Sequence, residues 1–341
     1  MGSKRSKRKN SIFVKTYNQM LDQQENNAPY YPPSFWAQSL GHPLIVALFT
    51  IGVALLLHGT APSLLRSFVE ALTGFNPEDA LKIEAPASWK IIYKLTLVFS
   101  QILVFGLSAL LFSWFSGNFR KEIGFETSTN ISLVSLGALL TLVGQPLILF
   151  MVLDSNSFFL PEALQGLEAQ LEEMERAVQK KLTILLDGNL GINLFTFALV
   201  PAITEELFFR GFLQNTFLRF FSPNIAIWVT SLVFSFLHFQ FFGFFSRFML
   251  GLFFGYLALW HKNLLPAMAA HFANNAFHVI IAYYKFRNNI PSSLAEVERT
   301  SSISDWLWAL LSALACAAIM IAFYKNTRRL NTPTSFVSHE S

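Results

Sequence analysis

Eight apolar runs, each near the length needed to cross roughly 30 Å of hydrocarbon, constrain this chain more than any other feature. They lie at 40–58, 91–115, 131–153, 190–220, 224–241, 245–260, 264–284 and 305–325, the sixth being short. A segment in lipid must satisfy its backbone polar groups internally, and no strand pattern long enough for a barrel occurs, so the runs read as helices. Hydrophobic residues make up 53% of the 341 and charged residues 13%, against roughly a quarter charged in an average soluble chain. The mean hydropathy of +0.43 agrees. The predicted fold is all-α: a polytopic membrane helix bundle with about eight transmembrane helices.

The remaining segments set the organisation. Lys4, Arg5, Lys7, Arg8 and Lys9 are followed by polar residues and by Pro32-Pro33, with no apolar core behind the basic cluster. Residues 1–39 therefore read as a disordered basic cytoplasmic tail without a cleavable signal. Three transmembrane helices follow at 40–153, then an insert at 154–189, a core of spans at 190–284, a loop and last span at 285–325, and a tail at 326–341. In the insert, Leu164, Leu167, Leu171, Met174, Val178 and Leu185 recur at helical spacing, with Glu172, Glu173, Lys180 and Lys181 between them. That pattern predicts an amphipathic helix at the interface or capping the bundle, with a substrate gate or dimer contact as the alternative.

Charge gives the orientation. Placing the basic tail inside puts Arg120, Lys121, Arg219, His261, Lys262, Lys325, Arg328 and Arg329 on the cytoplasmic side, with both termini, while Lys285, Arg287 and Arg299 oppose it. The compact core with a short Lys/Arg-rich tail reads as a protein of a bacterial plasma membrane. A single cysteine, Cys316, excludes a disulfide framework and a thiolate metal site. No aromatic-interleaved basic patch calls for nucleic acid. Met1-Gly2 with Ser6 formally fits a myristoylation pattern and Asn130-Ile131-Ser132 a glycosylation acceptor, both short patterns that arise often by chance.

The exceptions to apolarity carry the chemistry. Glu205, Glu206 and Arg210, then His238, then His271 and Asn275 lie inside otherwise apolar runs. Ionisable groups there are costly and face a bundle interior or wet cavity. Residues four apart share a helix face, so Glu206 stacks on Arg210 while Glu205 points elsewhere. An arginine in lipid needs a carboxylate partner, which makes Glu206 structural support and leaves Glu205 for chemistry. Pro201 frees a carbonyl around Phe197 and loosens the helix there. His271 and Asn275 are also four apart, just after Pro266, and read as neutral hydrogen-bond donors for a developing oxyanion. Each cluster alone also reads as interhelical packing.

Together they supply what peptide hydrolysis by water requires: a buried carboxylate as general base, a histidine sharing that proton, and two oxyanion donors. No rival nucleophile stands nearby, since Ser235 lacks a Gly-x-Ser-x-Gly turn. A zinc site built on Glu205, His238 and His271 is the alternative, although the spacing is not His-Glu-x-x-His. His42, His58, His261 and His339 fall near span ends or tails, whereas His278, seven residues after His271, reads as support behind the site.

Glu205-Glu206-Leu207-Phe208-Phe209-Arg210, Phe234 to His238, and His271 to Asn275 resemble the signature of the CPBP family, the intramembrane proteases related to the type II CAAX prenyl endopeptidase and to bacteriocin self-immunity proteins. The resemblance spans roughly 195–284 and departs from the family pattern in none of the three motifs. It implies an endopeptidase in which Glu205 and His238 activate water, His271 and Asn275 form the oxyanion site, and no metal is obligatory. The expected substrate is a membrane protein or peptide. The competing expectation is a non-catalytic immunity or binding protein that uses the same polar cavity.

Overall fold

The computed structural model describes residues 43–82, 84–110, 128–155, 165–240, 243–290 and 302–331, all within one unit, Phe35–Ser341. The basic tail with its myristoylation pattern, His42, the Arg120-Lys121 loop, the end of the second apolar run, the start of the insert, Arg299 and the tail containing His339 lie outside the described residues.

Every regular element among the described residues is helical. In chain order they are α1 (Pro43–Thr73), a 3₁₀ turn (Pro77–Leu81), α2 (Ala87–Leu110), α3 (Ile131–Val143), α4 (Gln145–Ser155) and α5 (Gln165–Leu185). Then come α6 (Leu190–Phe217), α7 (Pro223–Phe236), α8 (Phe244–His261), α9 (Leu265–Arg287) and α10 (Ile303–Asn331). Local chemistry explains the boundaries. Asn130 caps α3 by accepting from the Ser132 and Leu133 amides. Asn189 caps α6 in the same way through Gly191 and Ile192. Pro223 and Pro266 occupy first turns, where a missing N–H costs nothing. Lys262 ends α8 in the left-handed region at φ 54°.

The bundle is polytopic, and the apolar runs fall on helices of unequal length and polarity. Among the described residues, five stretches are long and apolar enough to cross a membrane: Ile51–Thr73, Ala87–Leu110, Ile131–Val152, Leu190–Phe217 and Ile303–Leu330. The first apolar run belongs to a helix that continues past Pro62 to Thr73. The third run breaks at Gly144 into α3 and α4. α7 is apolar but has only 14 residues. α8 and α9 have 18 and 23 residues, yet Arg247 and His261 interrupt one, and His271, Asn274, Asn275 and His278 the other. Of these, His271 and Asn275 belong to the motifs.

Polarity is arranged inside out. Trp228, Phe236 and Trp308 are 54%, 61% and 63% exposed, whereas Arg210, Gln214, Thr230 and Ser231 are buried. That is the distribution expected where lipid surrounds the bundle and polar groups pair within it. Small residues let the site helices approach. A Cβ on Gly137 of α3 would fall on the Pro266 carbonyl of α9. On α8, a Cβ at Gly251 would meet Ser231 at 2.9 Å and one at Gly255 would meet Ile227 at 2.7 Å, both on α7. This is the close-packing role of small residues four apart.

Candidate active site

The helix carrying both glutamates is not a uniform α-helix. α6 widens into π geometry at Phe195–Leu199, returns to α at Val200–Glu206, and widens again at Leu207–Gln214. The Val200 amide reaches back five residues to the Phe195 carbonyl. Pro201 has no amide to continue the ladder, so the wider turn absorbs the lost bond without breaking the span. Wide turns of this kind are frequent at functional sites.

Glu206 is fully buried and holds two partners on one oxygen. Its Oε1 accepts from Arg210 Nη1 at 2.8 Å and lies 2.8 Å from His271 Nδ1 on α9. Arg210 also donates from Nη2 to the Gly251 carbonyl at 3.1 Å. Its guanidinium lies 4.5 Å from the Phe234 ring centroid and 5.2 Å from that of Phe254, which provides aromatic faces for a cation removed from water. Phe254 in turn stacks on His271 with 17° between the planes. One carboxylate therefore ties α6, α8 and α9 together and sets the orientation of His271.

That orientation revises the chemistry read from sequence for His271. With Nδ1–H donating to the Glu206 carboxylate, a neutral ring presents Nε2 as an acceptor. The ring can donate from Nε2 only when it carries both protons. His271 also lies six residues past Leu265, beyond the first turn where the helix dipole acts, so Glu206 dominates its surroundings.

Glu205, one residue back, faces a different side of the helix. Its Oε1 accepts from Gln101 Nε2 of α2 at 2.5 Å. Its Oε2 is buried with no hydrogen-bond partner among the described residues. Two imidazole nitrogens converge on that oxygen, His238 Nε2 at 3.9 Å and His271 Nε2 at 3.9 Å. His238 follows the end of α7, and its Nδ1 lies 2.8 Å from the Phe234 carbonyl. A carbonyl only accepts, so Nδ1 carries the proton and a neutral His238 turns a lone pair toward Glu205. Carboxylate oxygen and imidazole nitrogen are then both acceptors, and a group bearing two donors, such as water, satisfies both. The His238 side chain is 29% exposed against 9% for Glu205, so the open side of the centre lies at His238.

Asn275 lies on the same stretch of α9. Its Oδ1 accepts from Asn274 Nδ2 at 3.1 Å, which leaves its own amide hydrogens to donate. Asn274 is held by Gln145 Nε2 at 3.1 Å, and Gln145 also donates to the Thr141 carbonyl at 2.9 Å. The motifs do not contain Gln101, which holds Glu205, or Gln145 and Asn274, which lead to Asn275. Their only trace in the sequence is polarity within apolar runs, and the same signal marks Lys90 and Lys94, which pair elsewhere.

Other residues singled out from sequence fall outside the centre. Ser235 donates to the Phe244 carbonyl at 2.6 Å. His278 is exposed and meets the Phe277 ring edge-on at 5.6 Å. Cys316 is buried, with its thiol 3.6 Å from the Leu140 carbonyl. Among the described residues no group of three or more His, Cys, Asp or Glu is arranged to hold a metal. The two 3.9 Å separations about Glu205 exceed the about 3.3 Å that tetrahedral zinc bonds of about 2.0–2.1 Å would give.

Fold and cluster together define a membrane-embedded helical bundle with two glutamates, two histidines and an arginine gathered where its helices meet. Residues 188–277 match the family model described as Type II CAAX prenyl endopeptidase Rce1-like. The matched segment runs from the start of α6 into α9 and contains all three motifs, in agreement with the CPBP resemblance. No curated protein and no solved structure matches the chain.

Proposed function

We propose that this protein is an intramembrane endopeptidase that hydrolyses a peptide bond in a membrane-associated protein or peptide, using water activated by Glu205 and His238. The observation carrying this reading is the pair of acceptors, Glu205 Oε2 and His238 Nε2, facing each other at 3.9 Å. A water between them donates one hydrogen to each and keeps its lone pairs for attack. Glu205 takes a proton as the water oxygen bonds to the scissile carbonyl carbon. The carbonyl oxygen becomes an oxyanion, to which Asn275 donates, as does His271 when its ring carries both protons. Collapse breaks the C–N bond, and the proton on Glu205 passes to the leaving amine. No metal is required, and the donor spacing supports that version over zinc.

The matching family's description supports a substrate bearing a prenylated cysteine near its carboxyl terminus. An extended carboxyl-terminal segment also avoids the difficulty that a helix in lipid hides its carbonyls in hydrogen bonds. The test is release of the terminal tripeptide from a farnesylated peptide by the purified protein in liposomes, measured by mass spectrometry with and without chelator. Release that survives chelation supports the reading. No release, together with no membrane protein that accumulates uncut when the chain is deleted from its host, favours the non-catalytic binding alternative.

A further inference from the structure

We propose that Gln101, on a helix outside the family-matched segment, is a positioning residue that fixes the plane of the Glu205 carboxylate, so that an oxygen stays aimed between the two imidazoles. The proposal rests on the protease reading above. Gln101 is the last residue of regular α geometry in α2 before the π segment Ile102–Leu107, and its amide donates to Glu205 Oε1 at 2.5 Å. No other described residue hydrogen-bonds this carboxylate: Oε2 has no partner, and the two imidazoles stand 3.9 Å from it.

The contact is built into the helix pair. Phe105 lies edge-on to Phe208 with ring centroids 5.4 Å apart. Gly106 lies against Thr204, where an added Cβ would come within 3.3 Å of the Thr204 methyl. Both contacts pin α2 beside the turn of α6 that bears Glu205. A carboxylate can rotate about its terminal torsion, which is broad and roughly two-fold. A flip between the two oxygens changes nothing, but a donor fixed on one oxygen stops the plane from swinging and keeps the other oxygen between His238 and His271. The amide suits this task because it carries no charge and does not titrate, so it holds Glu205 without competing for the proton.

The experiment compares wild type, Glu205→Gln, Gln101→Met and Gln101→Asn on a farnesylated peptide in liposomes. Gln101→Met keeps side-chain length and apolar packing and removes the donor. The expected result is a kcat at least tenfold lower with KM within twofold and unfolding temperature unchanged. Gln101→Asn, with an amide one methylene shorter, recovers part of the loss. A Gln101→Met kcat within threefold of wild type, or a loss expressed in KM instead, overturns the proposal. If Gln101→Met does not fold, Gln101→Leu, which also lacks the donor, decides on the same thresholds. Failure of the protease reading looks different, because wild type then releases nothing or Glu205→Gln remains active. An inactive Glu205→Gln beside a fully active Gln101→Met overturns the role of Gln101 alone.

Discussion

His238 Nε2 faces Glu205 Oε2 across 3.9 Å while His238 Nδ1 is committed to the Phe234 carbonyl at 2.8 Å. The second contact gives the first its meaning, because it fixes the tautomer and leaves two acceptors opposed. His238→Ala removes one of the two acceptors and, on the proposed mechanism, lowers kcat about 10²–10⁴-fold. His238→Gln restores a side chain with an acceptor but no shared proton, and stays nearer to Ala than to wild type. Steady-state cleavage by the three proteins in the same liposomes checks the order.

Arg210 and Glu206 form a fully buried pair at 2.8 Å. Removing the cation alone leaves a carboxylate in the bundle interior with only His271 beside it. Arg210→Met is expected to destabilise the protein by about 3–5 kcal/mol, read as loss of folded protein in a detergent unfolding series. Activity falls with it, since the same oxygen of Glu206 orients His271.

Gly255 separates α8 from its neighbours by the width of a hydrogen atom. A Cβ there would come 2.7 Å from Ile227 and 2.9 Å from Gln214 Oε1, and Gln214 already donates to the Gly255 carbonyl at 3.1 Å. Gly255→Ala is expected to cost about 1–3 kcal/mol as overpacking. A Gly166→Ala control in α5, with nothing within 4 Å of the added Cβ, does not lower stability in the same unfolding assay.

Asp187 sits in the turn before α6 and accepts from Lys90 at 2.7 Å. The hydrogen bond from Lys90 holds its carboxyl below the usual range. Because the folded value is the lower one, the resulting stability is present above the unfolded value of about 3.9 and is lost as pH falls through the folded value. The carboxyl is 41% exposed and screened by water, so the effect is at most about 1 kcal/mol. Asp187→Asn should therefore lower stability slightly at neutral pH and converge with wild type in acid, as measured by unfolding across a pH series.

How much of this was legible in the chain depends on the range of each contact. The stacking of Glu206 on Arg210 follows from helix period alone, because both partners sit on one helix. The second partner of Glu206, His271, lies 65 residues away, and Gln101 lies 104 residues from Glu205. No local spacing encodes such contacts. Apolar length marks α2, α6 and α10 as spans, whereas in α8 and α9 polar residues such as Arg247, His261, His271 and Asn274 dilute the hydropathy that marks a crossing. Pro201 signalled a weak point in α6, and a π turn at Phe195–Leu199 stands just before it.

The most direct test of the account is Glu205→Gln, assayed for tripeptide release from a farnesylated peptide in proteoliposomes beside wild type. The substitution keeps the side-chain shape and removes the base. Cleavage should fall by at least about 10³-fold, corresponding to about 4 kcal/mol of barrier, with unfolding behaviour unchanged. A folded Glu205→Gln protein that cleaves within tenfold of wild type would contradict the account.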